Sequence, residues 1–307
     1  MKIITLTLSP AFDVHLSVPN FAAERENLVE ASTRDIGGKG INISRALTEN
    51  GVSNISLVVL GNENSEDFLR GMDACGLNER ITLNVDGRIR ENMTVHPENA
   101  PETRISFKGF RADEGLLDRV FSLIAPDSDT VVTFTGSLPG GITDNETEDF
   151  LRRIVDSGAK LVIDSKSVPL DMLKRINPWL IKPNSEELAA YLGELDFDGI
   201  VKAASELHRG GIVNALISLG GDGSVLACDE GIFKVTAPKI NVVSTIGAGD
   251  SMIAGFIAAM EGTAEERLRT ATAFGSAACL TEGTNPPTKE NVARLSNEVI
   301  IEKITEV

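Results

Sequence analysis

The chain has 307 residues, 42% of them hydrophobic and 24% charged, which is the composition of a globular protein long enough to bury a core without disulfide bonds. Its formal net charge of −16 argues against nucleic acid as a partner, because phosphate neutralisation dominates that kind of binding. No apolar run reaches the roughly 18 residues that a membrane span needs, so we expect no membrane association.

The cysteines and the N-terminus favour a cytoplasmic location. Cys75, Cys228 and Cys279 lie far apart and form no Cys-x-x-Cys pair, which argues against a disulfide framework or a zinc site. Met1 leads directly into a strand-like stretch without a basic segment or a cleavage site, so no signal peptide is predicted.

Short apolar runs alternate with helical patterns along most of the chain. The runs are nearly continuous in hydrophobicity and rich in β-branched residues, as in strands that are buried on both faces. The predicted strands are 3–8, 55–60, 130–135, 161–163, 179–181, 215–219 and 224–227. The predicted helices are 40–50, 65–75, 145–157, 185–192, 200–209, 250–260 and 268–280. This alternation predicts an α/β fold with a mostly parallel sheet and helices on both of its faces.

Two segments, 13–30 and 81–109, depart from this pattern. Both are strand-like but alternate polar with apolar residues, as Met93-Thr94-Val95-His96 does. Alternation is typical of an antiparallel sheet with one exposed face. Such a sheet beside an α/β core could act as a lid or as a dimer surface, and the sequence leaves both open.

The most informative loop is Ser-Thr-Ile-Gly-Ala-Gly-Asp at 244–250, which precedes a predicted helix. Its small residues Gly247, Ala248 and Gly249 would expose backbone N–H groups at the positive end of the helix dipole, which is an anion-binding arrangement. Asp250 would then stand beside the anion, where a carboxylate can take a hydroxyl proton during phosphoryl transfer. An Asp that merely caps the helix after a glycine turn fits the same residues.

A second glycine-rich loop, Gly37-Gly38-Lys39-Gly40, also opens a predicted helix. Its glycines would let a ligand approach the backbone, Lys39 adds a positive charge, and Asn42 can donate or accept a hydrogen bond. The loop is not a Walker A motif, since Gly-x-x-x-x-Gly-Lys-Ser/Thr is absent. A simple tight turn is the alternative.

A third loop, Ser218-Leu219-Gly220-Gly221-Asp222-Gly223, lies between two predicted strands. It differs from the Rossmann fingerprint, which lies between a strand and a helix. A β-hairpin and a turn that cradles a nucleotide both fit it.

The segment Lys182-Pro183-Asn184-Ser185-Glu186-Glu187 follows another predicted strand. Asn184 can cap the next helix, with Glu187 completing a capping box. Alternatively, Asn184 and Glu187 can approach Mg²⁺, which prefers oxygen ligands and keeps several waters.

Taken together, these motifs resemble the PfkB, or ribokinase-like, family of carbohydrate kinases along nearly the full chain. Six motifs occur in the family's order. They are Asp13 after the first strand, Gly37-Gly38-Lys39-Gly40 with Asn42, Gly136-Ser137-Leu138-Pro139, Lys182 to Glu187, Ser218-Leu219-Gly220 with Gly223, and Gly247-Ala248-Gly249-Asp250. The resemblance implies one kinase domain over residues 1–307, a three-layer sandwich with a small β-sheet lid formed by about 13–30 and 81–109.

The resemblance also implies roles for the matching residues. Asp250 would be the general base, and the backbone of Gly247, Ala248 and Gly249 would hold the transferring phosphoryl group. The residues on the ATP side would be Lys182, Asn184, Glu187, Ser218, Gly220 and Gly223. Of these, Asn184 and Glu187 would also organise Mg²⁺ and its waters. The residues that hold sugar hydroxyls would be Asp13, Gly38 and Asn42.

Further features resemble the phosphosugar branch of the family, which contains 1-phosphofructokinases, tagatose-6-phosphate kinases and the minor 6-phosphofructokinases. They are the start of the chain at 7–13, Lys39 in its loop, Arg90-Glu91-Asn92, and residues 243–247. A second phosphate on the acceptor needs cationic partners, and Lys39 and Arg90 would supply them, with Ser137 as a neutral donor. Arg104 either joins them or is an exposed strand residue.

The expected reaction is the ATP-dependent phosphorylation of a ketohexose phosphate, with fructose 1-phosphate going to fructose 1,6-bisphosphate as the first choice. Kinases for fructose 1-phosphate often carry a lysine where this chain has Thr94, and Thr94-Val95-His96 resembles the minor 6-phosphofructokinases. Fructose 6-phosphate and tagatose 6-phosphate are therefore alternatives.

Two other classes of function are disfavoured. In a kinase for a free sugar or a nucleoside, Lys39 and Arg90 would face a neutral ligand. Both cations would then be desolvated without an anionic partner, which is costly. A non-catalytic sugar-phosphate sensor would not need Asp250, Asn184 and Glu187 together. The family also implies a homodimer that forms through the lid and, in some members, a potassium ion bound by carbonyls, for which Ser244, Ile246 and Gly283 are the candidates.

Overall fold

The computed structural model describes residues 1–98 and 100–304. The strands are β1 (Lys2–Thr7), β2 (Ala11–Ser17), β3 (Ala31–Gly37), β4 (Ile55–Gly61), β5 (Arg80–Val85), β6 (Arg90–His96), β7 (Thr103–Ser106), β8 (Thr130–Thr135), β9 (Lys160–Asp164), β10 (Leu180–Ile181), β11 (Asn214–Ser218), β12 (Ser224–Cys228), β13 (Gly231–Thr236) and β14 (Ile300–Ile304). The helices are α1 (Lys39–Glu49), α2 (Ser65–Ala74), α3 (Leu116–Ile124), α4 (Asp144–Asp156), α5 (Leu170–Ile176), α6 (Ser185–Leu192), α7 (Phe197–Arg209), α8 (Ala248–Ala258), α9 (Ala264–Ala278) and α10 (Lys289–Ser296).

The central sheet has ten strands in the order β14-β13-β12-β11-β10-β9-β8-β1-β4-β5. Strands β11 through β5 in this order pair in parallel, and β12, β13 and β14 add an antiparallel edge. The mostly parallel α/β sheet predicted from the sequence is thereby confirmed. The predicted strands and helices match the observed ones to within a few residues at their ends, whereas α3, α5, α10, β3, β13 and β14 were not predicted.

Two hydrophobic cores lie on opposite faces of this sheet. Leu161 and Ile163 of β9 belong to the core that α3 to α7 cover, whereas Val162 between them belongs to the core under α1, α8 and α9. Successive side chains of a strand point to opposite faces, so a strand buried on both faces must be apolar throughout. This requirement explains the continuous apolar runs of the sequence, and it gives the three-layer arrangement of helices, sheet and helices.

Parallel strands place their carboxyl ends at one edge of the sheet, where ligands of open α/β sheets bind. The segments that follow β1, β8, β9, β10 and β11 therefore meet there. They carry polar residues directly after buried strands, among them Ser137, Asp164, Lys182 and Ser218. In the two described ranges, no helix is both long and apolar enough to cross a membrane.

A second, smaller sheet covers this edge. It is formed by four strands in the order β3-β2-β6-β7, and we refer to them as the small sheet. Strand β2 pairs antiparallel with β3 and parallel with β6, and β6 pairs antiparallel with β7. The half-exposed sheet predicted from polar–apolar alternation is present, although it is mixed rather than purely antiparallel.

The predicted lid segments differ from the small sheet at their bounds. Segment 81–109 is too wide, because β5 pairs in parallel with β4 at the edge of the central sheet. Segment 13–30 ends too early, because β3 completes the small sheet. At β5 only one face of the central sheet is covered, so Ile81, Leu83 and Val85 pack against the core while Thr82 and Asn84 are exposed, and the strand alternates as the small sheet does. Alternation alone therefore cannot assign a strand to one sheet or the other.

Candidate active site

Asp250 lies in the first turn of α8, at the centre of the carboxyl edge. Its side chain is 6% exposed, and Asn42 Nδ2 donates a hydrogen bond of 2.8 Å to its Oδ2. Burial raises the pKa of Asp250 to about 6, and repulsion from Asp164 adds to this increase, while Lys39, the Asn42 hydrogen bond and Lys182 oppose it. A carboxylate with a pKa near 6 is a better proton acceptor than an ordinary Asp and is still ionised at neutral pH.

The backbone just before Asp250 forms the start of α8. Gly247 is the N-cap residue with φ of 78°, a left-handed conformation that favours glycine, and Ser251 N donates to its carbonyl over 2.9 Å. The first N–H groups of a helix have no partner within the helix, and they carry the positive end of its dipole. Ala248 N donates to the Thr245 carbonyl over 3.3 Å. Ala248 and Gly249 place no large side chain over the start of the helix, so an anion can approach it beside the Asp250 carboxylate.

Two lysines share one carboxylate next to Asp250. Asp164, at the end of β9, is 3.0 Å from Lys39 Nζ and 3.7 Å from Lys182 Nζ, measured to its Oδ2. Burial lowers the pKa of Lys39, but Asp164 and Asp250 outweigh it, so the pKa is raised overall. Lys39 is therefore held as a cation at the carboxyl edge, and Lys182 lies beside the same carboxylate. Sequence reasoning missed Asp164, although a carboxylate that directly follows a buried parallel strand is itself a signal.

The small sheet supplies the other side of the site. Asp13 of β2 accepts hydrogen bonds at its Oδ1 from Asn92 Nδ2 over 3.0 Å and from Arg104 over 3.5 Å. Arg90 of β6 donates to the carbonyl of Ser9 over 3.4 Å. Burial lowers the pKa of Arg90, which Asp13 opposes and Arg104 reinforces. Because burial and Arg104 both disfavour the charged form of Arg90, an anion bound beside Arg90 would stabilise its positive charge.

The loop before α1 is shaped for close contacts. A Cβ at Gly38, where φ is 139°, would lie 2.6 Å from Thr7 Cγ2, and one at Gly40 would lie 2.2 Å from the Leu6 carbonyl oxygen. These glycines therefore let the start of α1 lie directly on β1. This packing carries Lys39 and Asn42 into the site.

A cavity of about 400 Å³ joins these groups. All the residues that the sequence predicts to bind the sugar phosphate line this cavity. They are Asp13, Gly38, Lys39, Asn42, Arg90, Ser137 and Arg104. From the phosphate side it is lined by Lys182, Asn184, Glu187, Gly247, Gly249 and Asp250. Ala248, Ser218, Gly220 and Gly223 are outside the lining, Ala248 being part of the helix start described above.

The third loop forms the turn of a β-hairpin and borders the site. Ser218 N donates to the Pro183 carbonyl over 3.1 Å, and Ser218 forms a bridge with Asn184. Gly220 begins a short 3₁₀ turn, and Gly223 has φ of 106°. A Cβ at Gly223 would lie 1.9 Å from the Val235 carbonyl oxygen, so β13 requires glycine there. The hairpin alternative is confirmed, and the turn lies beside Asn184.

Asn184 and Glu187 form the capping box of α6. Glu187 N donates to Asn184 Oδ1 over 2.7 Å, and Asn184 N donates to Glu187 Oε2 over 3.1 Å. Within residues 1–98 and 100–304, no group of three or more His, Cys, Asp or Glu side chains is arranged to hold a metal ion. The oxygen atoms of Asn184 and Glu187 nevertheless fit a hard divalent cation whose other ligands are waters and phosphates.

The three potassium candidates are close to one another. Ser244 Oγ donates to the Gly283 carbonyl over 3.5 Å, and Ile246 N donates to Ser244 Oγ over 3.2 Å. The segment that leads into α8 is thus tied to the loop that follows α9.

A buried carboxylate beside a helix N-terminus, with lysines on one side and arginines on the other, is the arrangement of a phosphotransferase site. A family model described as "pfkB family carbohydrate kinase" matches residues 8–291. The 1-phosphofructokinase of Haemophilus influenzae is 34% identical over 269 residues, which are 85% of this chain and 84% of that protein.

Solved structures agree with this match. Phosphofructokinase-2 from Escherichia coli, determined with fructose-6-phosphate and separately with potassium, superposes with TM-scores of 0.88 and 0.89 at 26% identity, covering 97% of this chain and 98% of that chain. A ribokinase from Arabidopsis thaliana with ribose and ATP has a TM-score of 0.78 at 20% identity, covering 96% and 98% of the two chains, and so supports the fold.

The chain belongs to the pfkB family of carbohydrate kinases. Its fold is ribokinase-like, and it is a phosphotransferase that acts on a sugar hydroxyl. A kinase of this family uses ATP and a divalent metal ion.

Proposed function

We propose that the protein phosphorylates fructose 1-phosphate with ATP, giving fructose 1,6-bisphosphate. The observation that carries this proposal is the cavity itself, in which Asp250 and the start of α8 face cations from both the core and the small sheet. An acceptor that already carries a phosphate needs such cations far from the reacting hydroxyl. The relatives named 1-phosphofructokinase, at 30–34% identity over most of the chain, support the same substrate.

Asp250 is the general base of the proposed reaction. The acceptor hydroxyl lies against its carboxylate, which takes the proton as the oxygen attacks the γ-phosphorus of ATP. The bond from that phosphorus to the β,γ-bridging oxygen breaks, and ADP leaves. The N–H groups at the start of α8, from Gly247 to Gly249, stabilise the negative charge on the transferring phosphoryl group. Asn42 orients the Asp250 carboxylate through its hydrogen bond to Oδ2.

The phosphate already on the acceptor is bound by basic residues. Arg90 and Arg104 extend from the small sheet, Lys39 lies at the start of α1, and Ser137 adds a hydroxyl from the loop after β8. Asp13, Gly38 and Asn42 contact the sugar hydroxyls. This arrangement fixes the acceptor between two charged ends, which orients the free hydroxyl towards Asp250.

The nucleotide lies on the opposite side of Asp250. Its phosphates approach Lys182, Asn184 and Glu187, and its remaining parts follow the turn at Ser218, Gly220 and Gly223. Asn184 and Glu187 would hold Mg²⁺ through water, and the ion would neutralise charge on the ATP phosphates. A potassium ion near Ser244, Ile246 and Gly283 is part of the proposal, since phosphofructokinase-2 of E. coli has been solved with potassium.

Fructose 6-phosphate is the second candidate acceptor. The E. coli structure determined with fructose-6-phosphate supports it, together with the small-sheet sequence that continues from Asn92 with Thr94 and His96. Tagatose 6-phosphate has the same chemical groups and stays a third candidate.

The test is ATP turnover with fructose 1-phosphate, fructose 6-phosphate and tagatose 6-phosphate in parallel, beside free fructose and ribose. We expect the highest kcat/KM with fructose 1-phosphate. A preference for another phosphosugar would correct the substrate within the same mechanism. Turnover of the free sugars alone would contradict the assignment of Arg90 and Lys39 to a substrate phosphate.

We also propose a homodimer that forms through the small sheet, in the cytoplasm. Large apolar side chains on and beside this sheet are exposed, among them Leu28, Val29, Ile105 and Phe107. A patch of this kind favours a protein interface. The cytoplasmic location rests on a separate observation: the three cysteines form no disulfide within the described chain, which fits a reducing compartment. Sedimentation of the wild type beside Ile105→Ser/Phe107→Ser tests the dimer, because the double variant should be monomeric.

A further inference from the structure

Asn92 is a buried amide that is only half satisfied. Its side chain is 6% exposed and lines the same cavity as Asp13 and Asp250. Nδ2 donates to Asp13 Oδ1 over 3.0 Å, whereas Oδ1 is buried and has no hydrogen-bond partner among the residues that the structure describes. Because the carboxylate can only accept from the amide nitrogen, the hydrogen bond to Asp13 fixes which end of the amide is left without a partner.

The register of the small sheet places the Asn92 side chain on the cavity side of β6. Asn92 lies opposite Asp13 in the parallel pair of β6 and β2, and Arg90 and Asn92, two residues apart, share the face that lines the cavity. Buried acceptors are normally paired, so an unpaired acceptor on a side chain that lines a binding cavity points to a donor that arrives with the ligand.

Asn64 shows what a structural asparagine looks like in this protein. It is also buried, but its Nδ2 donates to the Ile89 carbonyl and its Oδ1 accepts from Ile89 N, over 3.1 and 2.8 Å. Asn42 resembles Asn92 instead, since it donates to Asp250 while its buried Oδ1 lacks a partner within the described ranges. Of the three asparagines whose buried Oδ1 lacks a partner in the described ranges, Asn42 and Asn92 line the cavity and donate to a site carboxylate, whereas Asn214 lies outside the cavity and donates to the Trp179 carbonyl.

We infer that Asn92 is a substrate-binding and specificity-determining residue, whose Oδ1 accepts a hydrogen bond from a secondary hydroxyl of the acceptor. The hydrogen bond between Asn92 and Asp13 places the Asn92 Oδ1 atom and the Asp13 carboxylate side by side. These two groups therefore select neighbouring hydroxyls of the sugar, one of which donates to Asp13 and the next to Asn92. In a ketohexose phosphate with a reacting primary hydroxyl, this pair is formed by the hydroxyls on C3 and C4. The inference rests on the proposed function, because it requires a sugar phosphate in this cavity.

The experiment combines deoxy substrates with variants. The kcat/KM values for fructose 1-phosphate and its 3-deoxy and 4-deoxy analogues are measured with the wild type, Asn92→Ala and Asn92→Ser, with Asn64→Ala as the matched control. In the wild type each analogue should lose roughly tenfold to a hundredfold, because a buried acceptor is left unpaired. In Asn92→Ala the penalty of one analogue should fall to within about threefold of unity, while the other penalty persists. Asn64→Ala should keep both penalties.

Each outcome of this cycle is decisive. If Asn92 had a structural role only, the variants would lose activity equally with every substrate, and unchanged deoxy penalties would overturn the inference. The wild-type measurements test the inference even if no variant folds. If the wild type phosphorylates the deoxy analogues as well as fructose 1-phosphate, the inference is overturned. A wild type that phosphorylates no sugar phosphate overturns the proposed function together with this inference, whereas an active wild type with unchanged penalties overturns the inference alone.

Discussion

Asp250 combines two properties that usually exclude each other, burial and negative charge. Burial of a carboxylate is costly, and here Asp164 adds repulsion. Lys39 and Lys182 carry two formal positive charges, and Asp164 and Asp250 carry two formal negative charges. The formal charges of these four side chains therefore cancel before any phosphate binds. Each incoming phosphate must therefore be matched by the arginines of the small sheet, by the start of α8 or by the metal ion.

The pKa of Asp250, raised to about 6, gives a pH dependence of known sign. The base must be deprotonated to accept the hydroxyl proton, so kcat/KM for the sugar phosphate should fall tenfold for each pH unit below about 6. Above that value it should form a plateau. The measurement is a kcat/KM profile between pH 5 and 8 at constant ionic strength, and a rate that is constant down to pH 5 would contradict a base with a raised pKa.

Asp250→Asn should separate activity from stability. Turnover should fall by roughly a hundredfold to ten-thousandfold, because the base is lost, while ATP binding is kept. A folded-state pKa above the ordinary value of 3.8 means that this carboxylate disfavours folding increasingly as the pH rises from about 3.8 to about 6, and fully above that. At pH 8 the variant should therefore be more stable by roughly 1–3 kcal/mol, visible as a higher Tm.

The control for this prediction is Asp156→Asn, at an exposed position in α4. It should leave kcat unchanged and Tm within about a degree, because surface substitutions have small effects. Turnover by Asp250→Asn within tenfold of the wild type would be incompatible with Asp250 as the base. A lower Tm would show that Asp250 stabilises the fold through its partners.

At the scale of residues, local chemistry predicts the site residues of the glycine-rich loops, and the family resemblance adds Asp13, Arg90 and Arg104 on strands. Both lines of reasoning miss Asp164 and Asn92. Asp250, Lys39 and Asn42 follow glycines that mark a backbone open to a ligand. Asp164, at the end of β9, and Asn92, within β6, follow no glycine-rich loop, and the one local signal is that Asp164 is a carboxylate at the end of a buried strand. Their importance arises from pairing across elements, Asp164 with two lysines and Asn92 with Asp13.

At the scale of elements, β3 supports the position of Asp13. A Cβ at Gly37, the last residue of β3, would lie 2.2 Å from Asp13 Oδ2, so the carboxylate rests on the glycine. Gly37→Ala should displace Asp13 and raise KM for the sugar phosphate by roughly tenfold or more, while KM for ATP changes little. Steady-state kinetics with each substrate varied in turn measure this split.

Gly76→Ala is the matched control for the change in β3. Gly76 lies outside the small sheet with φ of 71°, and a Cβ there would meet no atom within 4 Å in the part of the chain that the structure describes. Its substitution should cost about 1 kcal/mol through backbone strain alone and leave both KM values unchanged. If Gly37→Ala behaves as Gly76→Ala does, then Asp13 does not depend on this contact.

Element type follows from the sequence more readily than element partners. The apolar runs of β1, β8 and β9 predict strands buried on both faces, because only a central position in a covered sheet requires them. The polar–apolar alternation of β5 is compatible with an edge of the central sheet or with the small sheet. That choice depends on parallel pairing with β4, a contact that alternation does not encode.

The whole molecule is a covered α/β core with a small sheet over its active edge. In the proposed reaction the reacting groups, Asp250 and the start of α8, belong to the core, whereas the proposed acceptor-binding residues Asp13, Arg90, Asn92 and Arg104 belong to the small sheet. Neither part holds a complete site for the acceptor. Binding of a sugar phosphate must therefore join the small sheet to the core, and the bound state should be more rigid than the free one.

Hydrogen exchange followed by mass spectrometry tests this coupling on the intact protein. Saturating fructose 1-phosphate should slow exchange in β2, β3, β6 and β7, because their hydrogen bonds open less often when the ligand bridges them to the core. The central strands β1, β8 and β9 are buried on both faces and should exchange equally slowly with and without ligand. Asp250→Asn should keep the protection, since the base is not needed for binding. Protection limited to α8 and the loop before it would contradict a bridging role of the small sheet, and would place the acceptor entirely on the core.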